Sequence, residues 1–245
     1  MSDNPSRALT AEAIGTFALC FIGILSINLD AISGADGTAS LTTVALAHGL
    51  TIAVMVAALG ALSGAHFNPA VTAGFVATGR MTPARGAQYV AAQVAGAVLA
   101  SLLVGFLFGL EAVAAGTPAM SSNVHPLGGA AVEAVTTFLL VLVIFGTAVD
   151  ARAPRSVYPM AIGLTVALDI MATGPITGAA MNPARALGPA LVGGQWGAHW
   201  VYWVGPLLGG VAAAFLQHRF FMVTAPSRET AVRGGPAPAE ERGLA

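Results

Sequence analysis

Two Asn-Pro-Ala triplets, Asn68-Pro69-Ala70 and Asn182-Pro183-Ala184, carry the strongest chemical signal in this 245-residue chain. Each opens the helical part of a short apolar segment, 66–78 and 180–192. Proline at the first helical position gives up an N–H that would have no partner there anyway, and asparagine is a favoured cap before it. About ten helical residues reach only about 15 Å, half of a roughly 30 Å hydrocarbon core. Neither segment can cross a membrane alone, but two of them entering from opposite faces and meeting at their N-termini would cover it. Their positive helix ends and the amide donors of Asn68 and Asn182 would then share the midplane, where an unsatisfied polar group costs several kcal/mol. Water filling the gap would remove that penalty. A single Asn-Pro-Ala is an ordinary helix cap; two copies in matching half-length segments call for a shared role.

The surrounding residues repeat as well. Ser63-Gly64-Ala65-His66-Phe67-Asn68-Pro69-Ala70 aligns with Thr177-Gly178-Ala179-Ala180-Met181-Asn182-Pro183-Ala184. The offset that carries Asn68 onto Asn182 also carries Gly49-Leu50-Thr51 onto Gly163-Leu164-Thr165. At a slightly longer offset, Glu12 with Thr16-Phe17 matches Glu133 with Thr137-Phe138. Six apolar runs long enough to span a bilayer frame these segments, at 9–29, 41–62, 84–108, 128–149, 157–173 and 200–222. Each half then holds three crossings and one half-helix, and an odd number of crossings inserts the two copies in opposite orientation. The expected fold is an all-α membrane protein of six transmembrane helices plus two re-entrant half-helices. Residues 1–222 would form one membrane domain, its inverted repeats at about 8–109 and 128–222, followed by a disordered cytoplasmic tail at 223–245.

Composition agrees: 56% of residues are hydrophobic and 9% charged, against about 25% charged in soluble domains. The ten basic residues are all arginine, the net charge is −1, and no basic stripe follows a phosphate backbone, so a nucleic-acid partner is not expected. The lone Cys20 has no partner for a disulfide and belongs to no metal-ligand set; no cofactor is called for. No removable leader is read at the N-terminus. Arg7, Arg80, Arg85, Arg152, Arg155 and Arg219, with the tail arginines, fall on one side of the six-helix arrangement, which the positive-inside rule makes cytoplasmic along with both termini. The opposite loops carry Asp30, Asp36 and Glu111 and one arginine, Arg185. A guanidinium within the membrane either pairs with an acid or faces a cavity, and no acid sits beside Arg185 in sequence. Asp169 is an intramembrane acid whose position the sequence does not explain, with a burial cost of about 2.5–3.5 kcal/mol on insertion scales.

The stretches SGAHFNPAV, TGAAMNPARALGPA, AEAIGTF and HWVYWVGPLLGG resemble the aquaporin (major intrinsic protein) family over residues 8–222. The resemblance implies a right-handed bundle with a pore through each subunit of a homotetramer in a bacterial-type cell membrane, plasma or inner. It implies that Asn68, Pro69, Ala70, Asn182, Pro183 and Ala184 line or build the pore centre. The family's narrow filter falls on His48, Ile170, Ala179 and Arg185, a set similar to that of some tonoplast intrinsic proteins. Glu12 and Glu133 resemble the family's buried supporting glutamates, and His66 is left between lining the pore and packing the loop. The implied function is passive conduction of water, with small neutral solutes in addition, while protons and ions are excluded. Ala186, Ala190 and Tyr202-Trp203 resemble the water-channel pattern more than that of glycerol channels. The alternative is an aquaglyceroporin-like channel for glycerol, urea or ammonia. An ion-coupled secondary transporter also uses inverted repeats and broken helices, but ranks lower because the half-helices offer no acidic ligand. An enzyme is not expected, since no nucleophile elbow or metalloprotease signature occurs.

Overall fold

The computed structural model describes residues 5–33 and 39–222. The tail at 223–245 and Asp36 lie outside the described residues. The helices in chain order are α1 (Pro5–Ile27), α2 (Leu29–Ser33), α3 (Leu41–Ser63), α4 (Pro69–Ala77), α5 (Pro83–Phe108), α6 (Leu110–Ala115), α7 (Pro126–Ile144), α8 (Tyr158–Thr177), α9 (Pro183–Gly193) and α10 (Val201–Leu216). No strand occurs among them. Helices α1, α3, α5, α7, α8 and α10 are the transmembrane set. Five of these are long and apolar enough to cross a bilayer by themselves, α7 with its following turn included. The sixth, α10, has 16 residues and gains length from a π-helical turn at Gln217–Phe221, matched by one at Phe145–Val149 after α7.

Helix α8 continues to Thr177, past the end of the apolar run at 173 and through Pro175. A proline so near the helix end removes only a final backbone bond. Gly178, at φ 82°, then closes the helix by donating its N–H to Gly174 O. The short helices α2 and α6 were not expected; at five and six residues they carry too little periodicity to be read from sequence.

The packing obeys the repeat. Helix α1 packs on α5 as α7 packs on α10, α9 lies against α5 as α4 lies against α10, and α3 crosses α8 at the centre. That crossing is made by the repeat-related Gly49 and Gly163: a Cβ on Gly49 would come within 2.5 Å of Gly163 O. Backbones approach this closely only where both surfaces lack side chains. Outward faces carry apolar side chains such as Val54, Leu99, Phe106, Leu168 and Leu208, Phe106 being 86% exposed. In water such a belt would be costly, and in lipid it is the required surface.

The half-helices point in opposite directions. Beyond the end of α4, Arg80 Nη2 reaches Met222 Sδ at 3.2 Å, and Arg85 Nη2 lies 3.5 Å from Pro5 O, so α4 ends beside the chain-terminal ends of α1 and α10. Gly193, at the end of α9, instead abuts Val113 and Ala114 of α6. At about 1.5 Å per residue the two helices measure roughly 14 and 17 Å, which together match one membrane thickness.

Candidate functional site

Each half-helix starts as its triplet predicts. Pro69 and Pro183 occupy the first turn, and the Asn68 and Asn182 side chains cap it: Asn68 Oδ1 accepts from Ala70 N at 2.8 Å, and Asn182 Oδ1 from Ala184 N at 3.0 Å and Arg185 N at 3.2 Å. The other end of each amide crosses the junction. Asn68 Nδ2 donates to Met181 O and Asn182 Nδ2 to Phe67 O, both at 2.8 Å. Every primary amide carries two N–H donors. One on each asparagine thus fastens the two tips together, and both asparagines also line the central cavity.

The loops leading into the tips are held in unusual backbone. Ala65, Phe67, Ala179 and Met181 all have positive φ, between 44° and 52°. Such conformations cost about 1–3 kcal/mol each for residues with a Cβ and persist only where surroundings impose them. Here two buried carboxylates impose them. Glu12 accepts from Ser63 Oγ, His66 N, Phe67 N and Gln93 Nε2 at 2.6–2.9 Å. Glu133 repeats the pattern with Thr177 Oγ1, Ala180 N and Met181 N at 2.7–2.9 Å. All these neighbours are donors, which suits an acceptor-only carboxylate. Tyr89 and Tyr202 add a further matched pair, their hydroxyls donating to Ser63 O and Thr177 O. Tyr89 and Gln93 were missed from sequence, and Tyr202 figured there only in the Tyr202-Trp203 pair, although Tyr89 and Tyr202 share the repeat spacing of Gly96 and Gly209 and their matched role could have been found by it.

A narrow cavity of about 40 Å³ runs along the junction. Its wall is mostly apolar, with Ile52, Val56, Leu140, Ile144, Ile162, Val166 and Ile170 on the side away from the loops. His48, His66, Asn68, Asn182 and Arg185 supply its polar side chains. A second cavity shares Val56, Ala65, Val71, Ile144 and Ile162 with the first and is lined as well by Phe75, Ala148, Val149 and Tyr158. His66 both lines this space and packs: its ring stands 4.3 Å from Phe75 and 5.3 Å from Tyr89 between centroids, with Nδ1 3.0 Å from Thr72 Oγ1.

His48, Ile170, Ala179 and Arg185 all line the first cavity. His48 Nδ1 lies 2.8 Å from Val44 O. A carbonyl only accepts, so Nδ1 carries the proton and Nε2 of the neutral ring is left as an acceptor. That Nε2 faces Arg185 Nη2 at 3.5 Å. The same Nη2 donates to Gly116 O at 3.1 Å, while the buried Nη1 has no protein partner. Among the described residues no acid forms an ion pair with this guanidinium; the ion pair found there is Arg152 with Asp150 at 2.5 Å, at the far end of the bundle. Asp169, adjacent to Ile170 in sequence, is buried but does not line the cavity, and its Oδ2 has no hydrogen-bond partner. Successive helical residues point about 100° apart, which turns Asp169 away from the path that Ile170 faces.

Inverted half-helices joined at capped tips, a strained loop pair held by repeat-related glutamates and a lined cavity along the junction are all present in a single chain. The family profile described as Major intrinsic protein matches residues 2–217. The chain belongs to the major intrinsic protein family. Aquaporin TIP4-4 from Zea mays is 48% identical over 223 residues, covering 88% of this chain and 87% of that protein. Aquaporin NIP1-1 from the same plant is 41% identical over 224 residues, covering 91% and 78%. The X-ray structure of the aquaglyceroporin from Plasmodium falciparum superimposes with a TM-score of 0.76 over 89% of this chain and 97% of that one; at 24% identity, this likeness shows the shared fold. This major intrinsic protein is accordingly a multi-pass membrane protein of a channel family.

Proposed function

We propose that this major intrinsic protein is a passive water channel that also passes small neutral solutes and excludes ions and protons. The observation that carries the reading is the tip-to-tip junction of α4 and α9 beside a lined cavity, where each Asn68 and Asn182 amide spends one donor on the opposite loop. The remaining donors and the two positive helix ends meet a file of water at its midpoint. Waters that donate away from this centre on both sides cannot relay a proton through it, and a positive potential there repels cations. An apolar opposite wall lets water pass without binding tightly. His48, Ile170, Ala179 and Arg185 act as the selectivity filter: the unpaired Arg185 Nη1 replaces part of a passing water's hydrogen bonding, and its charge opposes cations. Glu12 and Glu133 keep the loops in place, and His66 forms part of the wall.

In this reading residues 1–222 are one channel unit with repeats at about 8–109 and 128–222. Four such units assemble in a plasma or inner membrane with both termini in the cytoplasm, the side on which the arginine-rich loops lie. The apolar Ile170 in the filter favours the second reading, an aquaglyceroporin-like channel whose main cargo is glycerol, urea or ammonia rather than water. Stopped-flow light scattering of reconstituted vesicles under water and then solute gradients distinguishes the two. Water permeability no higher than in empty vesicles would overturn the proposal. Replacing Arg185 with Val should keep water flow and raise leak of larger or charged solutes; an unchanged solute profile would remove Arg185 from the filter.

A further inference from the structure

Gly23 lies on α1 with its back to the filter. A Cβ built there would collide with His48 Nε2 and stand 3.0 Å from both Cδ2 and Cε1 of the same ring. The ring cannot swing freely to avoid it, because Nδ1 is tied to Val44 O at 2.8 Å. Its tip therefore lies against the bare backbone of Gly23 and 3.5 Å from Arg185 Nη2. The next residue on α1 acts on the second partner of the same guanidinium. A Cβ on Gly116 would come within 2.6 Å of Ile24 Cγ2, so Gly116 can offer its carbonyl to Arg185 at 3.1 Å only while it has no side chain. Two adjacent α1 residues thus fix, from behind, both groups that hold Arg185.

We infer that Gly23 is a positioning residue for solute selectivity: its missing side chain is the recess that lets the His48 ring withdraw from the conduction path while keeping Nε2 toward Arg185. The inference rests on the reading of His48 and Arg185 as the filter. A methyl at position 23 would push the ring tip away from α1, and with it the Nε2 that faces Arg185 at the cavity wall. That narrows the path and disturbs the polar edge together, so larger solutes lose more than water does.

The experiment compares wild type, Gly23→Ala, His48→Ala and the double variant in proteoliposomes, reading water, urea and glycerol permeability per reconstituted protein by stopped-flow light scattering. Gly23→Ala should lose most of its urea and glycerol permeability, with a smaller loss for water. His48→Ala should shift the solute-to-water ratio the opposite way, and the double variant should match His48→Ala alone, because without the ring there is nothing for the new methyl to strike. A packing role for Gly23 would instead leave the double variant worse than His48→Ala, which would overturn the inference. So would a Gly23→Ala ratio equal to wild type while His48→Ala shifts it; the filter reading would survive that result. If His48→Ala itself leaves the ratio unchanged, the filter reading falls and this inference with it. Should Gly23→Ala fail to fold, recovery of folded protein in the double variant supports the collision with His48, and continued failure refutes it.

Discussion

Asn182 both caps α9 and crosses to the other half, and replacing it with aspartate separates those actions. An aspartate keeps the oxygen that accepts from Ala184 N and Arg185 N. As a cap it is as good as asparagine, and its charge near a helix N-terminus adds about 0.3–1 kcal/mol of stabilisation. Across the junction the sign reverses. The Nδ2 donor to Phe67 O at 2.8 Å becomes a second acceptor facing that carbonyl. The crossing bond is lost and a buried charge is set against a carbonyl, together about 2–4 kcal/mol unfavourable. Phe67 O retains a longer bond from Thr16 Oγ1 at 3.3 Å, which favours the lower part of that range. The net expectation for Asn182→Asp is therefore destabilisation at neutral pH, where an account based on capping alone expects equal or greater stability. Protonation restores the donor, since a neutral carboxyl can give its O–H to Phe67 O. The thermal midpoint of the purified variant in detergent should fall at pH 7 and recover toward wild type as pH drops through the new group's titration. Asn182→Ala, which lacks both cap and bridge, should be low at either pH. An Asn182→Asp protein as stable as wild type at pH 7, with no recovery on acidification, would refute the claim that the two halves are fastened through this amide.

Glu133→Gln sets an amide donor against one of Ala180 N–H and Met181 N–H whichever way it turns, so a loss of about 2 kcal/mol or more is expected in the same thermal assay, with reduced water permeability. Asp169→Val removes a buried carboxylate oxygen that has no partner and should raise the thermal midpoint while leaving water permeability unchanged, a lower midpoint counting against its being unsatisfied. Gly163→Leu should yield no folded protein on gel filtration, because its side chain would have to occupy the space of the Gly49 backbone. Arg152 holds the Asp150 carboxyl down to about 2. That folded value lies below the ordinary one of about 3.9, so the contact's contribution is full above that ordinary value and lost as pH falls through about 2. Hydrogen exchange in residues 150–157 should accordingly stay constant from pH 8 to 5 after correction for intrinsic rates, and Asp150→Asn should raise it throughout.

The sequence reading reached the architecture because the relevant signals are local. Apolar runs of spanning length, proline and asparagine at the start of each half-helix, and a repeat preserved around Gly49, Asn68, Gly163 and Asn182 are properties of neighbouring residues, which a linear chain displays directly. Asn68 and Asn182 were legible as caps for the same reason, and the absence of an acid near Arg185 hinted at its unpaired state. The bonds that make those residues a site join distant positions. Glu12 meets the amides of His66 and Phe67, Asn182 meets Phe67 O, and Arg185 meets Gly116 O, each pairing set by how tilted helices cross. Nothing adjacent to Gly23 or Gly116 in sequence signals the ring and guanidinium they make room for, since a glycine's role there is defined by what lies opposite. Helix type, length and capping are decided by interactions within a turn or two. Which side chain stands behind which is decided by three-dimensional packing, where a step of one residue along α8 is enough to put Ile170 on the cavity wall and Asp169 away from it.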